Sequence, residues 1–162
     1  MFTAKSTLSD LGREALMRFA LRSAVTAAVA AATFFVGGAG TAQATPPGPG
    51  VTGRVISQKT VGGTVYILRE ITIPPGQGTG WHYHDGPLYA FVQEGTLSHF
   101  DSSCASDGVY PQGSFIEEPA GPGNVHIGRN LGDTAIVLDV LYVLPHGAPF
   151  SQDAPNPGCP FQ

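Results

Sequence analysis

His82 and His84 stand one residue apart in the stretch Gly80–Gly95, GWHYHDGPLYAFVQEG. In a strand, residues i and i+2 leave the same face about 7 Å apart at their Cα atoms, so two imidazoles can share one metal ion. His126 lies beyond a Pro- and Gly-rich turn, between Val125 and Ile127, where a second strand can bring a third imidazole to the same point. A divalent ion held this way polarises oxygen ligands or acidifies a bound water. The plainer reading is that these are ordinary polar strand positions, because His-x-His recurs by chance.

The elements that must position these side chains are strands. Thr64–Ile73 sets Val65, Ile67, Ile71 and Ile73 against Tyr66, Leu68, Glu70 and Thr72, the period-two pattern of a strand with one buried face. Arg69 interrupts the apolar row, which predicts a rim position, most simply paired with Glu70 or another acid, or a polar cavity where it would anchor an anion. Further strands are expected at Val51–Gln58, Trp81–His84, Leu88–Glu94, Thr96–Asp101, Ser114–Glu118 and Asn124–Arg129. Residues 102–113, SSCASDGVYPQG, read as a polar loop. Thr134–Leu144, TAIVLDVLYVL, is the most apolar run and belongs at a sheet centre. Many short strands with Gly and Pro turns, and no sustained helical period after residue 45, predict an all-β sandwich or closed barrel.

Within such a barrel Leu88, Ala90 and Val92 share the face of the histidines and are expected to line an apolar pocket. Trp81 and Tyr83 point the other way, toward a sheet face or a dimer contact. His99 reads as a structural or surface histidine, and His146 has no ligand spacing.

Residues 1–44 have the layout of a secretory signal peptide. Arg18 and Arg22 precede the apolar run Ala24–Val36, and Ala42-Gln43-Ala44 is a small-x-small cleavage signature that predicts processing after Ala44. Met17 is the natural start of this signal. The apolar run is short and alanine-rich against the roughly 20 residues of a membrane span, so no stable membrane anchor is expected. The processed chain is expected to comprise a Pro/Gly leader at 45–50, a barrel at 51–145 and a tail at 146–162. This secreted or cell-envelope portion carries four Lys and Arg against ten Asp and Glu, a formal charge of −6. That balance excludes a phosphate-binding face and hence nucleic acid as a partner. Two cysteines, Cys104 and Cys159, in an exported chain predict one disulfide pinning the tail.

The two histidine stretches together resemble the cupin family, whose first motif is G-x5-H-x-H-x3,4-E-x6-G. Gly76, His82, His84 and Gly95 fit it, with Leu88 where the family has glutamate. The second motif, G-x5-P-x-G-x2-H-x3-N, is met by Gly113, Pro119, Gly121, His126 and Asn130, with four residues instead of two before the histidine. The resemblance implies a double-stranded β-helix, or jelly-roll barrel, of six to eight strands. It also implies that His82, His84 and His126 occupy metal-ligand positions. Glu94 lies too far along its strand to replace the missing carboxylate, and of Glu117 and Glu118 only one can face inward, in neither case with an obvious register. Water or substrate is therefore expected in the fourth position. A carboxylate-free site leans toward Zn, Cu, Ni or Fe over Mn(II).

Cupins host many activities, so the resemblance does not choose one. Two readings stand. In the first, the chain is an exported metal-dependent enzyme acting on a small molecule, of oxygenase, isomerase or lyase type. In the second, it is a non-catalytic barrel that binds a small hydrophobic ligand or serves a structural role. The family also suggests a homodimer.

Overall fold

The computed structural model describes residues 44–162, so the expected export signal, Ala44 excepted, lies outside the described residues. Ten strands make up the fold: β1 Thr52–Val61, β2 Thr64–Ile73, β3 His82–Tyr83, β4 Leu88–Glu94, β5 Thr96–Asp101, β6 Ser106–Pro111, β7 Phe115–Glu118, β8 His126–Arg129, β9 Ile136–Pro145 and β10 Gln152–Asp153. No helix among the described residues is long and apolar enough to cross a membrane. The strands form two five-stranded antiparallel sheets, ordered β1-β2-β9-β4-β7 and β10-β3-β8-β5-β6.

The apolar run at β9 is the central strand of the first sheet, paired along its whole length with β2 and along most of β4. Its alternation is complete: Ile136, Leu138, Val140, Tyr142 and Leu144 are buried while their neighbours are not. Val65, Ile67 and Ile73 of β2 and Leu88, Ala90 and Val92 of β4 meet them in one core with Leu97 and Ile116 of β5 and β7. β1, by contrast, is exposed along its whole length.

A second, smaller core joins Trp81, Ile127, Ala154 and Cys159, with Phe100 and Phe161 against it. Trp81 thus packs a sheet face, fully buried and stacked on Phe161 at 6.0 Å between ring centroids. The Cys104–Cys159 disulfide ties the β5–β6 turn to the tail over this core. The tail also contributes β10, which pairs with β3. Thr45 docks here as well: its N–H donates to Ala154 O at 3.0 Å, and its Oγ1 accepts from Trp81 N–H at 2.6 Å. Gly80, with φ of 75°, is needed at this crossing, because a Cβ there would collide with the Thr45 carbonyl.

One expectation is corrected. Residues 102–113 are not all loop, since β6 forms at Ser106–Pro111 against β5. Its Ser, Asp, Gly and Pro content argues against a strand, but the free edge of β5 supplies a complete partner ladder, and that context outweighs propensity.

Candidate metal centre

Cross-strand pairing brings the histidines together. His82 of β3 and His126 of β8 are direct partners in the ladder, and His84 follows β3 by one residue. Ring centroids lie 4.4 Å apart for His82–His126, 4.8 Å for His82–His84 and 5.3 Å for His84–His126. One ligand atom from each falls within 4.8 Å of the others. Asn130, the last residue of the second motif, braces this end of the barrel by donating to Ile73 O and Thr134 O at 2.9 and 2.7 Å.

Backbone carbonyls orient each ring. Nδ1 of His82 donates to Gly80 O at 2.9 Å, Nδ1 of His84 to Phe150 O at 2.7 Å and Nδ1 of His126 to Asn124 O at 2.8 Å. A carbonyl only accepts, so Nδ1 carries the hydrogen in all three and the lone pair is left on Nε2. Nε2 of His84 and of His126 is buried with no hydrogen-bond partner. Buried lone pairs converging on one point, each with its far nitrogen fixed by a carbonyl, match the donor set of a divalent metal site.

A carboxylate does reach the histidines, which corrects the expectation that none has the register to do so. Leu88, at the family's glutamate position, is the direct cross-strand partner of Glu118 on β7. Opposed residues share a face with Cβ atoms about 5 Å apart, so Glu118 reaches from the next strand into the space a glutamate at 88 would use. Its Oε2 stands 3.1 Å from both His84 Nε2 and His126 Nε2. The signal was in the sequence: Ile116 and Glu118 form the buried face of β7, with Phe115 and Glu117 outside. The β4–β7 register, which makes Glu118 equivalent to position 88, was not.

Of the two expectations for His99, structural or surface, the surface one is corrected and the structural one stands. It is buried on β5, its Nδ1 is 2.6 Å from Asp107 Oδ1, and its Nε2 faces Glu118 Oε1 at 3.5 Å. It therefore stands behind the carboxylate and leaves Oε2 turned to the other histidines. A second ligand-capable group, His99, Glu118 and His126, overlaps the first through these contacts. His146 is exposed and belongs to neither ligand-capable group.

The charges follow from this packing. Burial opposes charge on Glu118, but in the metal-free protein hydrogen bonds from the charged form of the His126, His84 and His99 rings outweigh it and hold its carboxyl well below the usual range. Burial also opposes charge on His99, yet Glu118 and Asp107 raise its pKa. Burial, then repulsion by His126 and His84, lowers His82 to about 3. Between that value and the roughly 6.5 of a free histidine, the unfolded chain binds a proton that the fold does not. Stability of the metal-free protein is therefore complete above about pH 6.5 and falls toward pH 3, by on the order of 4 kcal/mol from His82. Urea unfolding across this window should show a shallower acid slope in His82→Gln; an unchanged slope removes His82 as the cause.

Beside the centre lies a cavity of about 200 Å³, walled by Leu88, Ala90, Leu97, Leu138 and Val140 and opening onto His82, His84, His126 and Glu118. Val92, expected on the same wall, does not line it and is wholly buried in the core, because β4 carries its third inward side chain away from the histidines. Arg69 does line it. The rim pair with Glu70 is not formed: Glu70 is held at 3.0 Å by Arg54, its cross-strand partner on β1. A second cavity of about 320 Å³, lined by Asp101, Asp107 and Glu117, reaches the centre from the side of His99.

A scan of protein-family models finds no match to the chain, and a search of curated proteins finds no relative. Solved structures do resemble it. A cupin-like protein from Thermotoga maritima is 18% identical over 70% of this chain and 87% of its own, with a TM-score of 0.56. A double-stranded β-helix domain protein from Klebsiella pneumoniae is 20% identical over 67% and 88%, with a TM-score of 0.50. The Schizosaccharomyces pombe Cnp3 cupin domain is 10% identical over 60% and 67%, with a TM-score of 0.51. The fold is that of a cupin barrel. In this barrel the histidines stand on β3 and β8 and in the segment after β3, with a carboxylate from β7 beside them.

Proposed function

We propose that His82, His84, His126 and Glu118 bind one divalent transition metal at the head of the apolar cavity, and that a small molecule reaches the ion there. The observation that carries this reading is the set of three Nδ1–H to carbonyl bonds that leave Nε2 lone pairs converging beside one ionised carboxylate. With Glu118 included, a divalent ion keeps a formal charge of +1 instead of +2. Mn(II) is then no longer disfavoured, and the range widens from Zn, Cu, Ni or Fe to include it.

When bound, such an ion supplies Lewis-acid polarisation of an oxygen on a small molecule. The chain's own part is to hold the ligand set rigid, to exclude water with Leu88, Ala90, Leu97, Leu138 and Val140, and to place Tyr142 beside His84 at 5.8 Å between centroids. Burial raises the pKa of the Tyr142 hydroxyl, against the lowering by Arg69 beside it, so it stays protonated and is no base. Oxygenase, isomerase and lyase chemistry all use such a centre. The disulfide is compatible with an oxidising compartment, which supports export of the chain.

Metal content by mass spectrometry on untagged protein tests the reading, with wild type beside His82→Ala and His126→Ala. Near-stoichiometric metal in the wild type that is lost in both variants is the expected result. A folded wild type that stays metal-free and refuses added Mn, Fe, Ni, Cu and Zn overturns it. The non-catalytic alternative is distinguished afterwards, by turnover of small oxygen-bearing compounds in the loaded protein.

A further inference from the structure

The inward-facing arginine is the feature the metal centre does not explain. Arg69, half-buried, sits in the core-facing row of β2 between Ile67 and Ile71, and opposite Val140 in the ladder. The acid next to it in sequence is taken by Arg54, and among the described residues no carboxylate lies within ion-pair distance of Arg69. Its Nε is buried with no hydrogen-bond partner. The guanidinium is stacked on Phe150, with Cζ 3.8 Å from the ring centroid, and lies 5.6 Å from the centroid of Tyr142.

The surroundings are shaped to accept it. Gly53 on β1 leaves the space over the guanidinium open, since a Cβ there would collide with it. Stacking uses the faces of a guanidinium and leaves its N–H donors in the plane, one of them toward the Tyr142 hydroxyl, the geometry that receives a carboxylate through two parallel bonds. A cationic fork lacking an anion within a largely apolar wall is costly unless a ligand supplies one. The ring of Tyr142 links the two ends of the cavity, being 5.8 Å from His84 and 5.6 Å from Arg69 Cζ.

We propose that Arg69 is an anion anchor, and that the cavity takes a short carboxylate whose charged end sits on Arg69 while its other end faces the histidine–Glu118 centre. The proposal rests on the metal reading for the second end only. At about 200 Å³ the cavity lies below the roughly 300–1,000 Å³ of drug-sized pockets, which limits the ligand to a few carbons between its ends. An uncharged hydrophobic ligand would leave the fork unpaired, so this chemistry disfavours it.

Calorimetric titration with pentanoate and with pentanamide into metal-free protein tests the anchor. The two share a shape, and only pentanoate carries the charge that Arg69 receives. Pentanoate should bind at least tenfold more tightly than the amide to the wild type. Arg69→Met should abolish that preference, and Arg69→Lys should keep part of it. If the Met variant fails to fold, the reduced preference of Arg69→Lys carries the test. Equal binding of the two by the wild type, or a preference that survives in Arg69→Met or is undiminished in Arg69→Lys, overturns the anchor. Zinc content, measured on zinc-loaded samples of the same proteins, decides the metal reading separately.

Discussion

Glu118→Leu is expected to strip the centre of its metal, and adding Leu88→Glu to that variant is expected to restore it. The single substitution removes the carboxylate that stands 3.1 Å from His84 Nε2 and His126 Nε2. Losing a ligand should weaken binding by more than the roughly 10–100-fold that changes behind the ligands cost. The double variant exchanges the two residues across one rung of the β4–β7 ladder. Opposed side chains on one face are about 5 Å apart at Cβ, within the reach of a glutamate, so the carboxylate returns to the ion from the neighbouring strand. Side-chain volume at the two positions is conserved in the exchange, which limits packing losses. Competition against a chromogenic chelator should place the double variant within about tenfold of wild type. Undiminished affinity in Glu118→Leu would exclude Glu118 as a ligand. A double variant as weak as the single one would mean that positions 88 and 118 are not interchangeable.

The second large effect concerns folding. Cys104→Ser combined with Cys159→Ser should destabilise the protein by about 4 kcal/mol, on the chain-entropy model for the 55-residue separation that the disulfide spans. For a barrel of this size that is on the order of 15 °C in Tm. The loss should be local in structure: Trp81, Phe100 and Phe161 form a core that depends on the tail, whereas β2, β9 and β4 are held by their own ladders. Trp81 is the chain's single tryptophan, so its fluorescence reports the release directly. Chemical denaturation of oxidised wild type, reduced wild type and the double serine variant checks this. The latter two should coincide, and a loss under about 1 kcal/mol would show that the closed loop contributes little.

How much of this was legible in the chain depends on whether local pattern or distant pairing decides each feature. The bounds of β2, β4 and β5 are those the alternation and turn residues predict, and the apolar run of β9 does occupy a sheet centre. β6 escaped because its residues are poor strand formers and its ladder comes from a partner already in place. Glu118 was half visible, as an acid on the apolar face of β7, but its equivalence to position 88 is a fact about register between strands. The fate of Arg69 turned on whether Glu70 was free, and that was decided by Arg54 on β1. The carbonyl that fixes His84 belongs to Phe150, 66 residues later, and no spacing rule connects the two.

That last contact has a consequence for the order of assembly. Every proposed metal ligand, from His82 to His126, leaves the ribosome before Phe150 does, and Phe150 supplies both the carbonyl on His84 and the ring beneath Arg69. A growing chain therefore carries one imidazole, that of His84, without its orienting carbonyl until the last segment closes over it. If the centre binds metal as proposed, the full ligand set exists only once the tail has closed, and the choice among ions would fall where folding is completed.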